Sequence, residues 1–489
     1  MNAIILLTIL GLPIAAAVAL ALFRERGAPA AGWVAGGAVA VALGASLAML
    51  PALGRGVQPT LDLPWIPSAN VYLRLHADWL TLPFLVTEIG VTLAAVIYSW
   101  GYHHTDERSG YFYALLLLFG VGMTGTTLAD SLLLFYVFWE LMLVASCLLI
   151  LVWGEGEQRN AVALKYFIFT HVGSLMVLVG LLVLYDAAGS DSLAAIRAGG
   201  WSLAPGLAGT VLTLFFVGFC VKMAIFPLHL WLPDAHTVAP MPVTIMLAAA
   251  MLSMGTYGIL RFPFSFFTPA QIEPFRVPLM VAGLVSEVYG ALMALAERDV
   301  KRIIAYSSVS QMGYILFGLG TLTSAGLSGA TLHVIYHAII KALLFMVTGV
   351  VIRATGRRNL EELGGLGRPL PTAAACAAIG ALGIAGMPPL GIFNSEWMIF
   401  AGGFHTTHIV LSVLTLFGSL LTVVYALQFA GRIFLGKKPE DLRVGAVPRT
   451  MQLSTVALTV LLIIEGLLPG PIFNWAERTL PLLLQGSIR

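Results

Sequence analysis

The amino-acid sequence predicts an all-α polytopic membrane protein, and composition is the first reason. Of 489 residues, 59% are hydrophobic and only 10% are charged, whereas a soluble globular protein carries about 25% charged residues. Stretches without Asp, Glu, Lys or Arg, such as 397–431, exceed the ~20 apolar residues that cross a bilayer. Because such runs recur along the whole chain, we expect a single membrane domain over 1–489.

Apolar runs separated by charges, glycine and proline define about 14 transmembrane helices. The first half of the chain contains 3–23, 31–50, 79–100, 112–128, 132–152, 164–185 and 209–226. The second half contains 240–260, 277–296, 303–322, 327–352, 372–402, 409–429 and 453–468. Basic residues follow the first segment rather than precede it, so we interpret it as a retained helix and not as a signal peptide.

The basic residues test this count. An even number of crossings places both termini on one side, and with the termini outside, seventeen basic residues fall in inner loops. Inner loops are enriched in lysine and arginine, so this distribution supports the count and the orientation. Lys222 and Lys341 lie inside predicted helices. The outer side receives seven residues, which are Arg55, Arg74, Arg197, Arg261, Arg276, Arg478 and Arg489.

Two predicted helices are interrupted. The seventh meets Pro227 and continues through the polar stretch 228–236, and the twelfth contains Pro388 and Pro389. Transporters built from internal repeats place ion sites at such breaks, because the freed backbone groups need polar partners. The breaks lie five helices apart. We therefore expect helices 4–8, residues 112–260, to repeat as helices 9–13, residues 277–429.

Ionisable residues within predicted helices are the main functional signal, since each costs roughly 2.5–3.5 kcal/mol on insertion scales. Glu140 lies in the fifth helix, and Lys222 lies five residues before Pro227. A buried lysine with a movable carboxylate partner can take up and release a proton. The plain alternatives are a hydrogen-bonded packing role for Glu140 and a lysine that extends to the membrane surface.

The eleventh predicted helix carries His333, His337 and Lys341 at positions i, i+4 and i+8. This spacing places them on one face of the helix. Histidine titrates near neutral pH, so the row can conduct protons. A metal site is the competing interpretation, but lysine is a poor metal ligand and no carboxylate shares the row.

Further ionisable residues lie in other predicted helices. Glu396 follows the second break and therefore lies beside irregular backbone, while Glu287 lies in the ninth helix and Glu88 in the third. His171 of the sixth helix either lies between the charges of the fifth and seventh helices or simply hydrogen-bonds a neighbouring helix.

Several other kinds of site have no support in the sequence. Cys147, Cys220 and Cys376 lack zinc, iron–sulfur or disulfide spacing, so we expect them to pack in the core. Residues 120–125 match G-x-G-x-x-G, but they lie in a predicted membrane helix, where close helix packing explains them better. We expect no cofactor and no metal in this chain. A net charge of +2 gives no reason to expect nucleic acid.

Three segments together resemble one protein family. They are FWELM at 138–142, PLHLWLPDAHT at 227–237 with the preceding Lys222, and DVKRIIAYSSVSQMGY at 299–314. They are similar to the antiporter-like subunits of respiratory complex I, chain M type, in a family shared with Mrp cation/proton antiporters and membrane-bound hydrogenases. The resemblance covers essentially the whole chain. It implies a fold of fourteen helices with two inverted five-helix repeats.

The resemblance also implies roles for individual residues. Glu140 matches the fifth-helix glutamate of the family, and Lys222 matches the broken-helix lysine with which it pairs. His337 and Lys341 match the relay of the eleventh helix. Glu396 matches the terminal carboxylate that faces the outer exit.

Two positions depart from the chain M pattern. Ser253 stands where an eighth-helix lysine is usual, and Gln311 stands where a tenth-helix histidine is common, while Lys341 is more typical of the paralogues. These departures favour a central relay of water and the row of the eleventh helix, joined by Glu287, over a relay through an eighth-helix lysine.

We therefore expect a proton-translocating subunit of the membrane arm of a complex I-type NADH/quinone oxidoreductase, in a bacterial inner membrane. Its expected partners are other membrane-arm subunits, a peripheral redox module and the lipid bilayer. The alternatives are an Mrp-type sodium/proton antiporter subunit, a membrane subunit of an energy-converting hydrogenase, and a scaffold that conducts nothing. The residues expected to act are Glu140, Lys222, Glu287, His333, His337, Lys341 and Glu396.

Overall fold

The computed structural model of the chain describes residues 2–22, 28–66, 71–102 and 109–484. Within these residues, thirteen helical stretches are long and apolar enough to cross a membrane. This confirms the polytopic helical membrane fold. The predicted segment 372–402 forms two shorter helices, so the exact number of crossings stays a prediction. Four basic residues used for the orientation lie outside the described residues, namely Arg24, Arg26, Arg108 and Arg489.

The first half of the chain consists of helices and one β-hairpin. The helices are α1 (Asn2–Leu22), α2 (Ala28–Leu47), α3 (Leu50–Gly54), α4 (Thr81–Tyr102), α5 (Ser109–Leu128), α6 (Leu132–Trp153), α7 (Arg159–Ala188), α8 (Leu193–Ala198), α9 (Pro205–Met223) and α10 (Leu232–Val238). The hairpin pairs β1 (Thr60–Ile66) with antiparallel β2 (Val71–His76). Sequence analysis missed this hairpin, although β2 alternates apolar and polar residues as a half-buried strand does.

The second half contains the remaining helices. They are α11 (Met241–Met246), α12 (Ser253–Arg261), α13 (Pro263–Phe266), α14 (Pro269–Ile272), α15 (Arg276–Ala296), α16 (Val300–Gly320), α17 (Ser324–Thr355), α18 (Pro371–Ile384), α19 (Gly391–Phe404), α20 (Ile409–Phe434), α21 (Arg449–Leu467) and α22 (Gly470–Leu484). A π-helical segment, Leu247–Met251, joins α11 to α12 within the eighth predicted helix.

Both predicted interruptions are real breaks. The seventh predicted helix divides into α9 and α10, and the twelfth divides into α18 and α19. The first break begins where Ala224 adopts a left-handed φ of 56°. Ala224 interrupts the helical hydrogen bonds and Pro227 has no N–H to resume them, so backbone groups around the break make other contacts. The indole of Trp231 donates to the Val221 carbonyl at 3.0 Å, and the Phe226 N–H donates to the Ser286 hydroxyl at 2.9 Å.

The centre of the bundle is formed by α16 and α17. The apolar part of α16 is completely buried, and that of α17 is almost completely buried. Glycine permits α15 to approach α16 closely, because a Cβ atom on Gly313 would lie only 2.4 Å from the backbone nitrogen of Glu287. Small residues at such contacts are typical of membrane helix interfaces. This approach brings the Glu287 side chain into the centre.

The glycines of the G-x-G-x-x-G match also serve helix packing. A Cβ atom on Gly122 would lie 2.5 Å from the backbone nitrogen of Met142, and one on Gly125 would collide with the Phe138 ring. Both neighbours belong to α6. The segment therefore holds α5 against the helix that carries Glu140, as the helix-packing interpretation predicted.

The assignment of Arg261 to an outer loop was wrong. Arg261 is buried at the end of α12 and makes two hydrogen bonds to the equally buried Asp78, at 2.7 and 3.0 Å. Arg261 also donates to Tyr257 and Thr81 at 2.9 Å each. Burial alone would raise the pKa of the Asp78 carboxyl, but the charge and hydrogen bonds of Arg261 hold that pKa well below its usual value. A charge count along the sequence cannot find this pair.

Asp78→Asn is expected to destabilise the fold by about 3–5 kcal/mol, because it leaves the Arg261 charge buried without its counter-ion. Thermal unfolding of the purified protein in detergent measures this loss. Asp62→Asn is the matched control, since Asp62 is 59% exposed and contacts Arg74 only at 3.4 Å. Equal melting temperatures for the two variants would contradict a stabilising role for the buried pair.

Candidate functional site

The first group of predicted site residues lies where α6, α7 and α9 meet. Glu140 projects from α6 towards His171 of α7, and their Oε2 and Nδ1 atoms lie 3.1 Å apart. His171 is 36% exposed, so this pair lies at the edge of the bundle. His171 thus contacts Glu140 of a neighbouring helix, which agrees with both roles left open for it.

Lys222 occupies the last turn of α9 and is buried. Its Nζ atom lies 5.2 Å from the centre of the Trp139 ring and has no hydrogen-bond partner among the described residues. Glu140 is close enough to act on this charge, but the two side chains form no direct ion pair. The expected pair is therefore separated in this structure, with Glu140 turned to His171.

The row on α17 is buried as the i, i+4, i+8 spacing predicts. His333 contacts the Ser395 hydroxyl through Nδ1 at 3.0 Å and the Gln311 side-chain oxygen through Nε2 at 2.9 Å. Lys341 donates to the Ser307 hydroxyl. His337 lies between them, and neither of its ring nitrogens has a partner among the described residues. A buried polar group without a partner is costly, so a proton-carrying group or water is expected next to His337.

Two buried carboxylates lie near the outer predicted end of this row. Glu396 of α19 lies against Gly386 in the second break, where a Cβ atom would come within 2.2 Å of Oε2. Glu287 lies against Gly418 of α20, where a Cβ atom would come within 2.0 Å of Oε1. Tyr314 stacks on His333 at 5.8 Å, and its neighbour Gly313 packs against the backbone of Glu287. Ser395, which precedes Glu396, contacts His333 at 3.0 Å. The structure thus brings Glu287 and Glu396 together beside the row.

His236 is a buried residue that sequence analysis quoted within a motif but did not select. It lies in α10, directly after the first break, and neither ring nitrogen has a partner among the described residues. Both Lys341 and Lys301 are near enough to act on its charge. Its position next to a predicted helix break could have identified His236 as a candidate site residue, because polar groups gather at irregular backbone within a membrane.

Other buried groups were also missed or left unassigned. Glu88 accepts a hydrogen bond from Thr127 at 2.8 Å, and Glu465 of α21 is half-buried, with its Oε2 atom shielded from solvent. Ser253, at the position of the absent lysine, donates to the Ala249 carbonyl at 3.0 Å. Within the described residues, no group of three or more His, Cys, Asp or Glu side chains could hold a metal ion.

Comparison with known proteins shows the family to which this chain belongs. The family described as NADH:quinone oxidoreductase/Mrp antiporter, TM, matches residues 129–422. The chain belongs to this family. A second description, NADH-Ubiquinone oxidoreductase (complex I), chain 5 N-terminus, matches residues 65–113. The resemblance inferred from the sequence segments is confirmed.

Relatives within the family are similar over most of their length. NADH-quinone oxidoreductase subunit M of Escherichia coli strain K12 is 33% identical over 435 residues, which cover 86% of this chain and 84% of the relative. NAD(P)H-quinone oxidoreductase chain 4 1 of Synechococcus sp. strain JA-3-3Ab is 35% identical over 414 residues, which cover 82% and 77%. This chain is thus homologous to a subunit of a multi-subunit membrane enzyme.

A solved structure supports the same family assignment. A chain of the Mrp complex from Dietzia sp. DQ12-45-1b matches with a TM-score of 0.86 and 29% sequence identity. The match covers 97% of this chain and 52% of that chain, so this chain spans about half of it. The family thus includes redox-driven and antiporter complexes, and the roles of the individual buried residues stay predictions.

Gly418→Ala is expected to reduce proton pumping by the assembled complex, because the new Cβ atom must displace the Glu287 carboxylate from its place beside the row. Pumping by purified complex in proteoliposomes is the measurement. Gly431→Ala on the same helix is the control, since nothing lies within 4 Å of a Cβ atom there. Normal pumping by Gly418→Ala would exclude a role for the position of Glu287.

Proposed function

We propose that this chain is a proton-translocating, antiporter-like subunit of the membrane arm of a complex I-type NADH/quinone oxidoreductase. One observation carries the proposal, namely the series of buried ionisable side chains around the two helix breaks. Burying each of these side chains in a membrane protein costs free energy, so such residues mark ion or proton pathways. Family membership and the resemblance to subunit M support the same conclusion.

In the proposed mechanism, Glu140 is a movable partner. Beside Lys222 its carboxylate stabilises the ammonium group, and at His171 it leaves that ammonium buried without a counter-ion. The 3.1 Å contact with His171 supports the existence of this second position. A conformational or electrostatic pulse from a redox module shifts Glu140, and Lys222 then loses its proton, because desolvation disfavours an isolated buried charge.

The proton then passes along the second group of buried residues. Histidine can accept a proton on one ring nitrogen and release one from the other, which suits His333 and His337 to a relay. Lys341 exchanges a proton with the relay, and Glu396, with Glu287 beside it, holds the proton before its release outside. Ser253 and Gln311 replace titratable residues of related chains, so water and the α17 row connect the two groups.

The proposal assigns the redox chemistry to other subunits, so this chain has no redox centre and no cofactor of its own. Its partners are the other membrane-arm subunits, a peripheral redox module and the surrounding lipid. We further propose that residues 112–260 and 277–429 form inverted repeats, and that both termini face the outer side of a bacterial plasma membrane. The excess of basic residues in the predicted inner loops supports this orientation.

A second function belongs to the same family. The match to the Mrp complex chain supports a subunit of a sodium/proton antiporter, which is driven by an ion gradient without a redox partner. A membrane subunit of an energy-converting hydrogenase would use the same buried relay with another electron donor. Carboxylates bind either proton or sodium, so the site chemistry allows each of these functions.

Purification of the native complex distinguishes these functions. We expect electron-transfer subunits to co-purify and proton uptake by inverted vesicles to depend on NADH and quinone. A complex without electron carriers that exchanges sodium for protons would instead identify the Mrp-type function. Hydrogen-dependent pumping would identify the hydrogenase type.

Lys222→Ala is expected to abolish proton pumping through this subunit, because it removes the proton-binding group next to the first break. The measurement is the number of protons pumped per electron by complex reconstituted in proteoliposomes. Lys437→Ala, at an exposed lysine outside the buried groups, is expected to have no effect. Unchanged pumping by an intact Lys222→Ala complex would refute the mechanism.

A further inference from the structure

We infer that Lys301 takes up protons for the buried relay, and that Glu155 is the partly exposed carboxylate that supplies them. This inference rests on the proposed function and concerns the basic end of the bundle. We define the basic end as the end where α6 and α17 finish and α16 begins. The predicted orientation places it on the inner side.

Lys301 connects solvent-exposed and buried parts of the basic end. Lys301 is one of the seventeen basic residues predicted to lie in inner loops, yet its side chain is 0% exposed, whereas the Glu155 side chain is 38% exposed. The Lys301 Nζ atom lies 3.3 Å from Glu155 Oε2 and donates to the carbonyls of Thr237 and Ala239 at 3.3 and 3.0 Å. The pair is therefore open to solvent on the Glu155 side and closed on the Lys301 side.

Towards the interior of the bundle, the helix that carries Lys301 contacts Lys341. On α16, Ile304 lies one turn beyond Lys301, and Ser307 lies one turn beyond Ile304. Lys341 donates to the Ile304 carbonyl at 3.4 Å and to the Ser307 hydroxyl. Lys301 thus belongs to the first turn of α16, and Lys341 of α17 contacts the turns that follow it.

His236 provides the link between the two lysines. It is completely buried. Lys301 donates to the carbonyl of the next residue, Thr237. Phe345, which the His236 ring contacts, lies one turn beyond Lys341 on α17. The edge-to-face contact with the Phe345 ring, with centroids 5.5 Å apart, holds the imidazole in place. Because neither ring nitrogen is used in a hydrogen bond among the described residues, one can accept a proton while the other releases one.

The transfer balances as a proton exchange. The Lys301 ammonium gives one proton to a ring nitrogen of His236, which passes a proton from its other nitrogen to the neutral amine of Lys341. The neutral amine of Lys301 then takes a proton from the protonated Glu155 carboxyl. Glu155 is reprotonated from solvent, and no other bond forms or breaks.

A structural role is the alternative. The carbonyls of Thr237 and Ala239 lie at the end of α10, and a lysine at a helix end can simply satisfy them. Arg358 already shares this task, since it donates to the Thr237 carbonyl at 3.2 Å and lies 3.5 Å from Glu155. Arginine keeps its proton in proteins, whereas a buried lysine can release it. Lys301→Arg therefore separates the two roles.

The test compares variants of the intact complex in proteoliposomes. Lys301→Met and Lys301→Arg should both lower the number of protons pumped per electron to the level of Lys341→Ala, while the complexes remain assembled. Glu155→Gln should slow pumping, because an amide cannot deliver a proton. Glu361→Gln is the matched control, since its partly exposed carboxylate pairs with an exposed arginine at the surface.

Each outcome decides between the roles. Full pumping by Lys301→Arg would overturn the inference and show that Lys301 has only a structural role. Equal pumping by Glu155→Gln and Glu361→Gln would also overturn it. Full pumping by Lys341→Ala would overturn the proposed function and this inference with it. Loss of pumping in Lys341→Ala together with normal pumping in Lys301→Met would reject the inference alone. Should Lys301→Met fail to assemble, Lys301→Arg and Glu155→Gln decide.

Discussion

The structure depends on one constraint, namely that a polar group within an apolar membrane is costly unless it finds a partner inside the protein, and this cost falls on every backbone N–H and C=O group. The first break shows how this works. Where α9 stops, the Val221 carbonyl accepts from the Ala224 N–H and from the Trp231 indole. The Phe226 N–H donates to Ser286 of α15. The break is thus connected to the second half of the chain. Irregular backbone and polar side chains are held together for the same physical reason.

The same constraint explains why the buried charges gather around α16 and α17. Neighbouring helices shield α16 and α17 from lipid. Polar side chains of α16 and α19 contact His333 and Lys341, which reduces the free-energy cost of burying them. Glycine is important to this arrangement. At Gly386 and Gly418 the missing side chain leaves room for a carboxylate beside the row. Close packing therefore creates the polar centre instead of excluding it.

Several parts of the site could be predicted from the sequence. Proline marked both breaks, helical periodicity placed the three residues of the α17 row on one face, and burial cost singled out Glu140 and Lys222. Other parts could not be predicted. Arg261 and Lys301 lie at helix ends, where the local sequence predicts a loop, but segments distant in the sequence bury both side chains. Nothing in the sequence near His171 shows that it contacts Glu140.

The sequence by itself determined the class of the protein, because hydrophobic length, proline breaks and the spacing of charges are local properties of the chain. It also determined the helices on which Glu140, Lys222 and the residues of the α17 row lie. Only the tertiary structure decided the partners of those residues. The Glu140–His171 contact, the Asp78–Arg261 pair and the position of Lys301 each depend on how separate helices pack. A buried charge is stabilised over a few ångströms, and residues that meet at that distance are often far apart in the sequence.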